Sequence, residues 1–137
     1  MNMKRFNLIL INFLLMLSIF SCKNYEEDII GAWNYQTYDN QPQGTVIYNF
    51  KENNLLIRVI NSNNNIYIDS CQYLIEKSLF KKQMTISGSK VQQVAGDVNG
   101  LYRIEKFSDN VVVMTRIKLA NDQTNGAYLR CELNRRQ

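Results

Sequence analysis

Beyond residue 28 the chain alternates between apolar and polar positions. Trp33, Tyr35 and Thr37 fall on one side of an extended segment, with Asn34 and Gln36 on the other. Val46, Tyr48 and Phe50 likewise face away from Thr45, Ile47 and Asn49. A period of two marks a strand with one buried face. Similar segments follow at Leu55 to Ile60, Ile66 to Glu76, Gln83 to Ser87, Leu101 to Phe107, Val111 to Leu119 and Ala127 to Arg135. The long fourth segment sets Tyr67, Cys71, Tyr73 and Ile75 on one side. Turn-forming residues separate the segments, notably Asn40 to Gly44, Asn61 to Asn65, Ser108 to Asn110 and Asn121 to Gly126. No stretch after residue 28 repeats apolar residues at i, i+3 and i+4, so no substantial helix is expected there. Eight short strands joined by hairpin loops read as an antiparallel up-and-down meander, and closing it into a β-barrel hides its edges. Ser87 to Gly100 is polar and glycine-containing and is the candidate mobile loop.

The start of the chain is patterned differently. Lys4 and Arg5 precede an apolar run from Leu8 to Phe20, which ends at Ile19-Phe20-Ser21-Cys22. That run is shorter than the roughly 20 residues a membrane-spanning helix needs and suits the core of a signal peptide. The tetrapeptide, with an aliphatic first residue and small Ser21 before Cys22, resembles the lipobox of bacterial lipoproteins. The resemblance implies cleavage before Cys22 and lipidation of that cysteine, giving a signal peptide over 1–21 and a lipidated tether over 22–28. It also implies an anchor in the bacterial outer membrane, facing the periplasm or the cell surface. Lys23 followed by Glu26, Glu27 and Asp28 is similar to the export signal of surface lipoproteins in Bacteroidetes, and reads equally as a solvated tether.

Charge and composition narrow the functional classes. The formal net charge of +4 includes Lys4 and Arg5, so loss of the leader, which holds no acid, lowers it by two. No clustered basic stripe remains of the kind nucleic-acid binding uses, so no nucleic-acid partner is expected. The chain contains no histidine. That removes Ser-His and Cys-His catalysis and the commonest metal ligand. The acids lie mostly at strand ends and turns, where carboxylates shape loops. Asp69, inside a strand, is the exception. No catalytic residue, metal site or cofactor is expected, and the chain reads as a non-enzyme.

Gly31-Ala32-Trp33 at the head of an eight-strand meander resembles the lipocalin-like lipoproteins of Bacteroidetes and, more distantly, the lipocalin and fatty-acid-binding superfamily. The resemblance implies a lipocalin-like barrel over 29–137. It also implies an arginine near the end of the last strand, Arg135 or Arg130, packed across Trp33 as a structural lock with Gly31. With Cys22 lipidated, Cys71 and Cys131 remain, an even number in an oxidising compartment and both on apolar strand faces. They are expected to form a disulfide across the barrel, the alternative being two buried thiols.

Two functions follow. In the first the barrel binds a small apolar or glycan-derived ligand, with Trp33, Tyr35, Tyr48, Tyr73 and Tyr102 as candidate lining. The alternative is a filled barrel that serves as a protein-interaction module: an inhibitor, an immunity protein or an accessory subunit of an envelope complex.

Overall fold

The computed structural model describes residues 24–38, 44–78, 80–91 and 96–137. The leader and Cys22 lie outside the described residues. A helical turn, α1 (Tyr25–Asp28), leads into eight strands: β1 (Gly31–Thr37), β2 (Thr45–Lys51), β3 (Leu55–Ser62), β4 (Asn65–Lys77), β5 (Lys82–Ser87), β6 (Gly100–Phe107), β7 (Val111–Leu119) and β8 (Leu129–Arg135). Each strand pairs with the next in antiparallel register, and β1 pairs with β8, so the sheet is a closed barrel. This is the all-β, eight-stranded architecture that the alternation predicts.

The inward face is set strand by strand. β2 buries Val46, Tyr48 and Phe50, and β4 buries Asp69, Cys71, Tyr73 and Ile75. Trp33, Phe50, Leu56, Met84, Met114 and Leu133 pack into the same core. The β3–β4 turn is tighter than the sequence suggests, whereas the β7–β8 connection is longer, since Ala127 and Tyr128, read as strand, precede β8. Asn63 and Asn64 both adopt positive φ (50° and 62°), which asparagine tolerates better than most residues, so a two-residue turn joins β3 to β4. The flanking residues read as loop, Asn61, Ser62 and Asn65, therefore belong to the strands.

The two ends of the barrel close differently. At one end α1 docks as a plug, although the sequence reads this stretch as tether. Tyr25 is buried, its ring 4.5 Å from that of Phe107, with the Lys77 and Lys82 ammonium groups 5.3 and 5.2 Å from its centroid. An aromatic with a cation on its face is a more favourable arrangement than a solvated tether. Gly31, at φ +128°, brings the chain into β1, and the Arg135 guanidinium lies 4.2 Å from the centre of the Trp33 ring. Arg135 also donates to the carbonyls of Asp28, Ile30 and Asp109, while the Trp33 indole N–H donates to Ile29 O at 2.7 Å. Arg130 sits instead over Tyr38, at 4.8 Å.

Candidate functional site

The opposite end of the barrel holds the unusual chemistry. Arg58 is an inward position of β3, between Leu56 and Ile60, and is fully buried. The register sets it directly across from Asp69 of β4. Its Nη1 donates to Asp69 Oδ2 at 3.0 Å and to Ser89 Oγ at 2.7 Å, and Ser89 Oγ donates in turn to the same carboxylate oxygen at 2.7 Å. Asp69 Oδ1 accepts the Lys90 backbone N–H at 3.1 Å. Burial alone would raise the Asp69 pKa. The hydrogen bonds from Ser89 and from the Lys90 backbone, the Arg58 charge and the Val91 N–H outweigh it and hold the carboxyl below its ordinary value.

This cluster fastens a segment read as a mobile loop. Ser89 N–H donates to Asn99 Oδ1 at 2.9 Å, and Asn99 Nδ2 donates back to Ser89 O at 3.1 Å. From β7, Arg116, also buried, donates through Nε to Ala127 O at 2.9 Å and through Nη1 to Asp97 O. The Tyr102 hydroxyl donates to Val98 O at 2.7 Å. The described flanks of the loop are therefore tied to β3, β4, β6 and β7; residues 92–95 lie outside the described residues.

All five candidate lining residues, Trp33, Tyr35, Tyr48, Tyr73 and Tyr102, are buried inside the barrel. Tyr35 and Tyr48 stack with centroids 4.7 Å apart and planes 7° apart, and Phe50 meets Tyr73 edge-on at 4.9 Å. Arg58 lies 5.7 Å from the Tyr48 ring centre. Burial pushes the hydroxyls of Tyr35, Tyr48 and Tyr102 well above the ordinary phenol value, so they stay protonated. Tyr35, Tyr48, Tyr102 and Cys131 belong to one buried cluster, and Arg58 lies against it through the Tyr48 ring. Trp33 belongs to the plugged end, and the Tyr73 hydroxyl donates to Lys51 O at 3.0 Å.

The expected disulfide is absent: Cys71 and Cys131 are free and buried. The reason is topological. β4 and β8 are four strands apart in either direction around an eight-strand ring, hence on opposite walls. A disulfide needs Cα atoms within about 7 Å. The Cys71 thiol is directed at Leu56 O (3.6 Å) and the Cys131 thiol at Met114 O (3.7 Å), each on a neighbouring strand. Burial pushes their pKa values up to about 11 and about 12, which leaves both as inert thiols.

Arg58 and Arg116 were not picked out from the sequence. Arg58 interrupts an otherwise apolar inward row, Leu56-x-Arg58-x-Ile60, and that interruption is the signal that would have found it; Arg116 only ends its row, Val112-x-Met114-x-Arg116. Among the described residues, no group of three or more Cys, Asp or Glu is placed to hold a metal ion, and no helix is long and apolar enough to cross a membrane. Compared with known proteins, the chain matches no protein-family model, no curated protein and no solved structure.

Proposed function

We propose that this protein is a lipid-anchored envelope lipoprotein, of the lipocalin-like kind its sequence resembles, whose barrel binds a small ligand at the end away from α1. The observation that carries the binding reading is Arg58. A fully buried guanidinium keeps two of its three nitrogens, Nε and Nη2, without a hydrogen-bond partner. A filled structural core leaves few charged donors unsatisfied, because each such group costs about 1–3 kcal/mol or more. The stacked phenol rings of Tyr35 and Tyr48 beside it offer both apolar faces and hydroxyls, the mixture that small-molecule sites use.

The anchor reading rests on the leader and Cys22. Cys22 lies three positions before Tyr25 in the sequence, and Tyr25 is fixed in the plugged end. A diacylated Cys22 would hold that end against the outer membrane and turn the Arg58 end outward. Two acyl chains, at about 0.8 kcal/mol per buried methylene, make such an anchor stable. Native mass spectrometry of the full chain, extracted from membranes in mild detergent, tests both halves. We expect an acyl mass on Cys22 that is lost in Cys22→Ser, and a small molecule retained by the wild-type barrel. A protein with no acyl group, or one that carries no guest under any extraction, removes the corresponding half.

The second reading, a protein-interaction module, is favoured by the outer wall. Ile47, Val59 and Ile68 stand in one cross-strand row on β2, β3 and β4, and Ile66 and Ile68 are 68% and 70% exposed. Exposed apolar rows of this kind mark docking faces. A photo-crosslinking residue at position 68 tests it in intact cells, where a single discrete adduct is expected and a diffuse smear argues against it.

A further inference from the structure

We propose that the outer groove beside the β4–β5 turn is a second membrane contact, docking on the phosphate headgroups of an anionic phospholipid surface. This rests on the lipid-anchor reading above and names the face of the barrel that the bilayer covers.

The first observation is reach. Cys22 is three positions from Tyr25, so their Cα atoms are at most about 11 Å apart. Tyr25 sits against the ammonium groups of Lys77 and Lys82, 5.3 and 5.2 Å from its ring centre. Those two lysines end β4 and begin β5. Acyl chains on Cys22 would therefore bring the turn between them to the bilayer surface.

The second is what that turn exposes. Ser78 N–H donates to Lys81 O at 2.8 Å and closes it. Phe80 lies within it and is 95% exposed. A single exposed phenylalanine is ordinary; this one borders a groove. β5 pairs with β6 only over 83–86 and 100–103, so at 104–107 β6 has a strand partner on the β7 side alone. Where the two strands part lies a cavity of about 480 Å³, lined by Phe80, Lys81, Lys82, Arg103, Ile104 and Ile117 among others.

The third is charge. Three of those six residues are cations, and the groove carries no acid. Arg103 is 61% exposed and meets Glu105 only at 3.8 Å, while Glu105 is engaged by Thr115 and Arg130. Glu26 and Glu27 are exposed on α1 at the same end, where Lys51, Lys106 and Arg136 offset them. The cationic surplus is thus local to the groove. Each basic group beside an anionic membrane adds about fivefold to its attraction. Phe80 can enter the boundary below the phosphates, as aromatic side chains at membrane surfaces do. A protein partner is disfavoured because an anchored bilayer already occupies this end.

The test uses the full acylated chain, reconstituted into vesicles, with a nitroxide at Ser78→Cys, which keeps Phe80. The reference label is at Tyr128→Cys, exposed at the far end before β8. Cys71 and Cys131 are buried and stay unlabelled. Electron paramagnetic resonance compares collisions with oxygen, which concentrates in the bilayer, against collisions with a water-soluble nickel chelate. One set of vesicles is phosphatidylethanolamine with a quarter phosphatidylglycerol, the other phosphatidylcholine alone. At position 78 the oxygen-to-chelate ratio is expected to be about fivefold or more higher on the anionic vesicles. Position 128 is expected to stay in water on both. Lys81→Gln combined with Arg103→Gln is expected to abolish the difference. If position 78 stays in water while the chain floats with the vesicles, the docking face falls and the anchor stands. If the chain does not float with them, both fall. Equal immersion in the two lipids overturns headgroup recognition, and a difference that survives the double substitution overturns the assignment to this groove. The two-lipid comparison decides the matter even if the double variant does not fold.

Discussion

Gly31 shows how one backbone angle can fix a site of assembly. Its φ of +128° lies where side chains with a Cβ are strained, and an added Cβ would come within 3.0 Å of Arg135 Nη1. The same Arg135 covers Trp33 and ties the carbonyls of Asp28, Ile30 and Asp109 together. Gly31→Ala is therefore expected to destabilise the fold by about 1–3 kcal/mol, the usual range for an enforced backbone outlier. Urea unfolding followed by Trp33 fluorescence measures it, and a loss below a few tenths would mean that the lock yields freely. The motif Gly31-x-Trp33 was legible because its residue types are rare and stand at the start of the first strand. Arg58 was harder to read. A single arginine in a strand is ordinarily solvated, and only the count of two from Leu56 places it inward.

At the scale of elements, the β3–β4 hairpin and the loop beyond β5 form one electrostatic unit. Register alone opposes Arg58 to Asp69, and the loop then brings Ser89 and the Lys90 N–H to the same carboxylate. Because the folded Asp69 carboxyl titrates below its ordinary value of 3.8, its contribution is fully present above that pH. It is lost as the pH falls through the lower, folded value. Melting temperature is thus expected to be flat through neutral pH and to drop below about pH 3.8. Asp69→Asn should be less stable at pH 7 by about 3–5 kcal/mol, because it leaves a buried arginine without its counter-charge. It should also show a shallower acid limb. An unchanged limb in the variant would assign the acid transition to other carboxylates. Chain position hides this unit, since Asp69 and Ser89 come from separate elements. Composition marks Ser87 to Gly100 as a loop without indicating that it is tied down.

For the molecule as a whole, closure of the ring decides the fate of the thiols. Cys71 and Cys131 face inward from opposite walls, so they remain reduced, and burial suppresses their thiolates. In the Cys22→Ser chain at pH 8, iodoacetamide is expected to modify neither cysteine while the protein is folded. In denaturant without reductant it should modify both. Protection that persists in denaturant until a reductant is added would mean the two are bridged after all.

The strand count, the strand order, the inward faces of β1, β2, β4 and β8 and the apolar run at 8–20 can be read from the sequence alone. These are local properties: alternation at a period of two, turn residues, and an apolar run too short to span a bilayer. Other features became visible only in the tertiary structure. Ring closure separates two cysteines that parity would have joined. Docking turns an acidic stretch read as tether into a plug built on Tyr25. Cross-strand register gives Arg58 a partner for one of its nitrogens and leaves two without. Each of these depends on a distance between residues far apart in the chain, which a pattern along it does not carry. Arg58 is paired on one edge and not on the other because register and the loop beyond β5 bring acceptors only to Nη1.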